Sequence, residues 1–263
     1  MTNPETRPPI SAYIRTKNEA RLVAEVVRAA LQVAREVIVV DSGSTDDTVR
    51  LAEDAGAKVI SMDWLGTGKQ KRAAEDLCEH PWLLDLDADE VIPAKLAAEI
   101  AALFQNGEPA HKIYALRMII APPVGEPWRH VDPDHRNKLY DSREIRMPDS
   151  AAWDQLDIPS GTQVPKLKTP IIHYAFTDIG FLLTKQERNM TQRAKSAPLK
   201  PLWQLRFRMI FGLPVYFLKR YILKGLFLKG AYGFSFAMTI AIGRWLKDVK
   251  MYERHHFEKK DGK

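Results

Sequence analysis

A chain of 263 residues is long enough for one large domain, or for one domain with an appendage. Its 45% hydrophobic and 27% charged residues are ordinary for a soluble globular protein, and its single cysteine, Cys78, excludes an internal disulfide and fits a reducing compartment. The net charge of +6 conceals a split: residues 1–184 sum to −7 and residues 185–254 to +12, so an acidic front portion and a basic rear portion each call for a partner of opposite sign.

The opening "MTNPETRPPI" lacks the basic start and apolar core of a signal peptide and reads as a disordered lead-in over residues 1–8. "ISAYI" (Ile10–Ile14) is a short apolar strand. Leu22, Val26, Ala29/Ala30 and Val33 follow at helical spacing. "EVIVV" (Glu36–Val40) is the β-branched run of a buried parallel strand. In "SGSTDDT", Ser44 is placed to cap the next helix, with Asp47 as the acid of a capping box. "AKVISM" is a third strand, "GTGKQKRAAEDLCEH" a loop and helix, "PWLLDLD" a fourth strand, and Pro93 opens the helix of "PAKLAAEIAALF". Cys78 has no metal-ligating partner at the usual spacing and reads as a buried structural thiol. This βα rhythm with short connections predicts a doubly wound, mostly parallel sheet with helices on both faces.

Beyond residue 111 the rhythm changes. "KIYALRMIIA" is a long strand, "NKLYD" and "REIRM" look like a hairpin pair, and "TPIIHYAF" is a last strand. Between them, "PPVGEPWRHVDPDHR" holds His130, Asp132, Asp134 and His135; the spacing suggests zinc, but the open composition favours an acceptor-binding lid. After Phe176 helices take over. Their longest charge-free run, Gly230 to Gly243, has 14 residues, short of the roughly 17–25 that a membrane span needs. A basic amphipathic C-terminal region lying on an anionic membrane surface, with Trp203 and Trp245 at headgroup level, fits better. Aromatic residues there fall on apolar helical faces rather than on a stacking platform, which argues against nucleic acid.

In a doubly wound sheet ligands bind at the carboxyl ends of the strands. Asp41, ending the second strand, and Asp87 and Asp89, ending the fourth, therefore point to one edge. Asp87 and Asp89 with a pyrophosphate would make a Mg²⁺ or Mn²⁺ site, in which the metal neutralises a leaving diphosphate.

Together, "YIRTKNEA", "VIVVDSGSTDDT", "WLGTGKQKRAAED" and "WLLDLDADEVI" resemble the family 2 glycosyltransferases of GT-A fold, and within them the lipopolysaccharide-core β-glucosyltransferase-like branch. "PIIHYAF" and the rear helices extend the resemblance over nearly the whole chain. The resemblance implies that Thr16, Asn18 and Glu19 line a nucleoside pocket, that Asp41 binds the base or ribose, and that Gln70 and Lys71 help to hold the donor. It places Asp87 near the ribose and on the metal, Asp89 on the metal, and His173 in the metal shell. Arg72 stands where the family has an Asn. The branch's His-Glu pair is Trp153-Asp154 here, which makes Asp154 the base and Asp157 the runner-up.

The organisation so implied is a catalytic domain over 9–178, a membrane-associating helical region over 179–254 and a tail over 255–263. The activity implied is inverting, metal-dependent transfer from a nucleotide-diphosphate sugar, a UDP-sugar first among them. The acceptor implied is a membrane-anchored glycolipid, lipopolysaccharide core above all, met at the inner face of the cytoplasmic membrane. Transfer to a polyprenyl phosphate or an exopolysaccharide precursor is the rival within enzymes, and a non-catalytic sugar-nucleotide-binding regulator the rival outside them. The sequence carries no signal of an oligomeric state.

Overall fold

The computed structural model describes residues 4–129, 131, 134–151 and 153–261. The chain forms two compact units, one of Met1–Ile120 with Pro133–Tyr174, the other of Ala121–Asp132 with Ala175–Lys263.

In the first unit, eight strands among the described residues form one sheet. In chain order they are β1 (Ile10–Thr16), β2 (Glu36–Asp41), β3 (Lys58–Ser61), β4 (Trp82–Asp87), β5 (Glu90–Val91), β6 (Ile113–Ile120), β7 (Asp134–Asp141) and β8 (Ile171–His173), and their spatial order is β3-β2-β1-β4-β7-β6-β8-β5. β3, β2, β1 and β4 run parallel; β7 is antiparallel to both β4 and β6, β8 is parallel to β6, and β5 is antiparallel to β8. Helices α1 (Val23–Ala30), α2 (Thr48–Asp54), α3 (Thr67–Asp76) and α4 (Ala94–Ala102) make the crossovers.

The central strands are apolar on both sides because both sides are covered. Ile10, Ala12 and Ile14 of β1 join Val23, Val26, Leu96 and Ile100 in one buried layer. Tyr13 points the other way, into a second layer with Ile38, Val40, Leu83, Ala74 and the segment carrying Ile145, Met147 and Leu156. The parallel register pairs Thr16 with Asp41, Asp41 with Ser61 and Arg15 with Asp87, so the strand ends form one continuous carboxyl edge.

Some expectations change. "REIRM" is not a strand: "NKLYD" lies within β7, which pairs with β4 and β6, and chain 143–147 leaves the sheet to cover its second layer. Ser44 does not cap α2. That helix starts at Thr48, and Ser44 instead hydrogen-bonds Asp41. His135 and Asp134 belong to β7 rather than to a loop, Asp134 pairing with Arg136 at 2.9 Å, while His130 and Asp132 of the suggested lid lie outside the described residues.

The second unit contains α5 (Ile179–Ser196), α6 (Leu202–Leu218), a π turn (Lys219–Leu223), a 3-10 turn (Leu226–Lys229) and α7 (Gly230–Asp261). Asp178 caps α5 by accepting from the Phe181 N–H at 2.8 Å. α7 packs on both α5 and α6, burying Phe236, Ala237, Ala241 and Met251. Gly243 allows the close approach of Gln186 from α5, whose side chain a Cβ would meet at 2.9 Å. Trp245, expected at headgroup level, is half-buried and donates to the Met209 carbonyl at 2.9 Å. By length and composition alone, the stretch Leu226–Phe257 suffices to cross a membrane, its most apolar 18 residues having a mean hydropathy of 1.4; the charge-free run Gly230–Gly243 is shorter, and the helix continues through Arg244.

Cys78 is half-buried and donates to the Ala74 carbonyl at 3.3 Å. Burial, followed by the charges of Glu36 and Glu75, pushes its thiol up to about 12. At pH 8 the native thiolate fraction is then roughly one in 10⁴, against about a quarter in an unfolded chain. Alkylation of Cys78 at pH 8 is therefore expected to be slow in buffer and fast in urea, as followed by mass spectrometry. Because the folded value is raised, the thiol's contribution to stability is complete below about pH 8 and declines as pH climbs toward 12.

Candidate active site at the carboxyl edge

At the end of β4 three carboxylates and three cations interleave. Asp85 and Glu90 are buried and Asp87 is partly open. Lys71, from α3, reaches Asp85 at 2.8 Å and Asp87 at 3.7 Å. Lys138, from β7, reaches Glu90 at 2.7 Å, Asp85 at 3.7 Å and Asp87 at 4.0 Å. Arg15, from β1, holds Asp87 at 3.0 Å. Glu90 lies in β5 and accepts from the Asp87 N–H at 2.9 Å. Burial alone would raise the Asp87 carboxyl, but Lys71, Lys138 and Arg15 outweigh it and hold it well below the usual carboxylate range. Burial raises the Glu90 carboxyl despite Lys138, and Asp87 adds to the rise.

Arg15 also reaches Asp154, at 3.2 Å, and Lys71 lies 4.0 Å from the same carboxylate. Asp154 is thus brought to the strand-end network, whereas Asp157 is exposed. The chain before Asp154 is fixed by the start of α3: the N–H groups of Thr67 and Lys69 donate to the carbonyls of Ala151 and Ser150 at 2.9 and 3.0 Å. These are the donors that a helix start leaves unpaired. The fit requires glycine, because a Cβ on Gly68 would lie 2.1 Å from the Trp153 carbonyl.

The short β5–β8 pairing sets Glu90 opposite His173, and the Tyr174 N–H donates to the Asp89 carbonyl at 2.8 Å. His173 Nε2 consequently sits 3.3 Å from Asp89 Oδ2. Burial works against protonation of His173, but the hydrogen bond and charge of Asp89, with Glu90 and Asp87 behind it, raise its pKa. Two ligands bound side by side on a Mg²⁺- or Mn²⁺-sized ion lie about 3 Å apart, so Asp89 and His173 fit one cation between them. Among the described residues no group of three His, Cys, Asp or Glu side chains forms a ready ligand set. Asp87 is turned instead toward Arg15, Lys71 and Lys138.

The remaining expected donor residues hold the loops at the strand ends. Asp41 is buried and accepts from the N–H groups of Gly43 and Ser44 at 3.0 and 2.9 Å. Asn18, at φ 55°, donates its N–H to Ser44 Oγ and accepts from the Thr45 N–H, both at 2.8 Å. The Glu19 N–H donates to Thr48 Oγ1 at 2.8 Å. Gln70 is buried; it donates to Ser42 Oγ at 3.1 Å and accepts from the Leu65 N–H at 3.0 Å. Thr16 is buried, with its hydroxyl lacking a partner. Arg72 donates to the Met147 carbonyl at 2.7 Å and so fastens α3 to the layer beneath it.

Sequence reasoning missed Arg15 and Lys138. The signal for Arg15 was available: a cation inside the apolar run "SAYIRT" must be paired if the strand is central. Lys138 sits in a strand with a polar start, "DHRNKLYD", and gave no such signal.

Two consequences can be measured. Lys138→Ala leaves Glu90 and Asp85 buried without their nearest shared cation, and is expected to lower unfolding free energy in urea by about 3–5 kcal/mol. Gly68→Ala sets a Cβ against the carbonyls of Pro148, Ser150 and Trp153 and so displaces Asp154. Its unfolding free energy in urea is expected to fall by about 1–3 kcal/mol, the cost of overpacking a close contact.

The sequence profile of Glycosyl transferase family 2 matches residues 11–164. A protein from Rickettsia felis named as an uncharacterized glycosyltransferase is 32% identical over 254 residues, covering 93% of this chain and 89% of the relative. The lipopolysaccharide core biosynthesis glycosyltransferase LpsC of Rhizobium meliloti is 28% identical, covering 94% of this chain and 93% of the relative. Among solved structures, glucosyl-3-phosphoglycerate synthase from Mycobacterium tuberculosis, in complex with Mn²⁺, UDP and glucosyl-3-phosphoglycerate, matches 43% of this chain and 44% of its own at 24% identity and a TM-score of 0.35. The family profile's span takes in β2 to β7, nearly all of β1, and Arg15, Lys71, Asp87, Lys138 and Asp154 at the carboxyl edge, leaving β8 and His173 beyond its end, and the chain belongs to glycosyl transferase family 2.

Proposed function

We propose that this glycosyltransferase moves a sugar, with inversion, from a nucleotide-diphosphate donor of the UDP-sugar type to a membrane-anchored glycolipid, lipopolysaccharide core being the acceptor. The observation that carries the reading is the convergence of Asp154, Asp87 and the Asp89–His173 pair at one sheet edge, with Arg15 and Lys71 bridging Asp87 and Asp154. The similarity to LpsC over nearly the full length of both chains supports the acceptor class. The basic rear portion supports a location at the inner face of the cytoplasmic membrane.

Asp89 and His173 would hold Mg²⁺ or Mn²⁺, which when bound neutralises charge on the diphosphate. Thr16, Asn18, Glu19, Asp41 and Gln70 shape the nucleoside pocket, and the unpaired Thr16 hydroxyl is a donor available to the nucleotide. Asp87 is ionised and positioned toward the ribose. Asp154 takes the proton of the acceptor hydroxyl as its oxygen bonds to the anomeric carbon. The bond from that carbon to the diphosphate breaks on the opposite face, and the electron pair leaves on the phosphate oxygen, facing the positive charge of Lys71. Arg15 holds Asp154 through Oδ2 and leaves Oδ1 for the incoming hydroxyl.

Asp89→Ala is expected to abolish transfer with an unchanged circular-dichroism spectrum, and chelation of divalent cations should do the same to the native chain. Asp154→Asn should lower kcat by about 10²–10⁴-fold with donor binding retained, while Asp157→Asn stays near the native rate. Full activity in Asp89→Ala would remove the metal assignment, and full activity in Asp154→Asn the base.

A further inference from the structure

α6 carries an apolar ridge that the second unit does not cover. Trp203, Phe207, Ile210, Phe211, Val215 and Leu218 are exposed, Trp203 by 73% and Ile210 by 69%. At 3.6 residues per turn these positions share one side of the helix, and Arg206 and Arg208 fall at the two edges of that side. The ridge continues beyond the helix to Leu223, 77% exposed. Soluble chains rarely expose so many large apolar side chains contiguously unless they meet another surface.

The charge beside the ridge indicates what covers it. Between Glu187 and Asp248 the chain has 12 Lys and Arg and no Asp or Glu. Asp248 is buried; it accepts from the Tyr216 hydroxyl at 2.6 Å and meets Arg208 at 3.0 Å and Lys200 at 3.8 Å. The guanidinium groups of Arg208 and Arg244 lie 5.5 and 5.7 Å from the Tyr216 ring centre. One carboxylate therefore faces several cations. Burial, then the charges of Arg208 and Arg244, lowers the Lys200 pKa; burial, then Lys200, Arg244 and Arg193, lowers that of Lys247. Positive charge is in excess beside an exposed apolar strip, a pairing complementary to acyl chains bordered by anionic phosphates.

We propose that α6 lies in the plane of an anionic phospholipid leaflet, its ridge among the acyl chains and the cluster of Lys200, Arg244 and Lys247 with Arg206 on lipid phosphates. The inserted element is then α6, while the longer and apolar α7 serves as the core of its unit. This surface rests on the reading of the acceptor as membrane-anchored.

The test uses the full-length purified chain with vesicles of phosphatidylcholine, with and without phosphatidylglycerol, at about 0.1 M salt, where screening still leaves headgroup attraction intact. Sedimentation with anionic but not neutral vesicles, and release by high salt, are expected. Phe207→Ser with Ile210→Ser, and separately Arg206→Gln with Lys247→Gln, should each weaken vesicle binding about tenfold or more, with melting temperature and donor affinity by calorimetry unchanged. The second pair leaves Asp248 with Arg208 and Tyr216, so the fold keeps its buried partners. Equal binding to neutral vesicles, native-like binding by both variants, or retention through a carbonate wash as by a spanning helix would overturn the proposal. So would a stable dimer in light scattering that Phe207→Ser with Ile210→Ser dissociates, or calorimetric binding of inorganic phosphate that abolishes vesicle binding at equal phosphorus. Vesicle binding without donor binding would uphold the surface and remove the functional reading, so the two fail separately.

Discussion

The site depends on the balance of charge where β4 leaves the sheet. Taking Asp85, Glu90, Lys71 and Lys138 out of water costs several kcal/mol for each ion, and only close mutual pairing offsets that. The four come from α3, β4, β5 and β7, so the balance exists only when all these elements are in register. Arg15 is placed by the β1–β4 pairing that sets it opposite Asp87, and through Arg15 the same balance reaches Asp154, a residue otherwise distant in sequence. The network is therefore both a condition of the fold and the frame of the chemistry. Its members cannot be exchanged one at a time, because each removal strands a charge of the opposite sign.

The residues that the family resemblance assigns to the donor show a second use of the same side chains. Asp41 organises the turn after β2, Asn18 ties that turn to the loop after β1, and Gln70 ties α3 to Ser42. On the proposed function, a pocket wall made this way would be arranged before the nucleotide arrives, leaving little ordering entropy to oppose binding. Contact with the nucleotide need not come from the carboxylate or amide itself. The free hydroxyl of Thr16 is held at the same edge by the pairing of Thr16 with Asp41 and by the Ser42 N–H on the Thr16 carbonyl.

The parallel half of the sheet was legible because its strands are apolar on both faces and its connections are short; Ile10–Ile14 and Glu36–Val40 could hardly be anything else. The carboxyl edge followed from that topology, and with it Asp41, Asp87 and Asp89. The antiparallel half was less legible. "REIRM" alternates like a strand, yet its apolar positions, Ile145 and Met147, cover the second layer from outside the sheet. Local pattern reports which side chains are buried, and not whether a sheet or a loop buries them. Ser44 failed as a cap for a related reason: a hydroxyl three residues beyond a buried carboxylate has a stronger partner in Asp41 than in a helix N–H. The Asp89–His173 pairing depends on two residues of β5 meeting β8, a contact of long sequence separation that no local signal announces.

Hydropathy along the rear of the chain points to α7, whereas exposure points to α6. The two disagree because hydropathy cannot separate an apolar helix that is covered from one that is not. α7 has small residues, Ala237, Ala241 and Gly243, where its neighbours approach, which is the composition of a helix packed on two sides. α6 has large residues on the side away from α7, together with Pro214, which is exposed and gives up a backbone donor within the helix. A side that served only water would gain nothing from Trp203, Phe207 and Ile210. Aromatic bulk bounded by basic side chains is what a headgroup boundary selects. The second unit is thus better described by which helix its charges flank than by which helix is long enough to span.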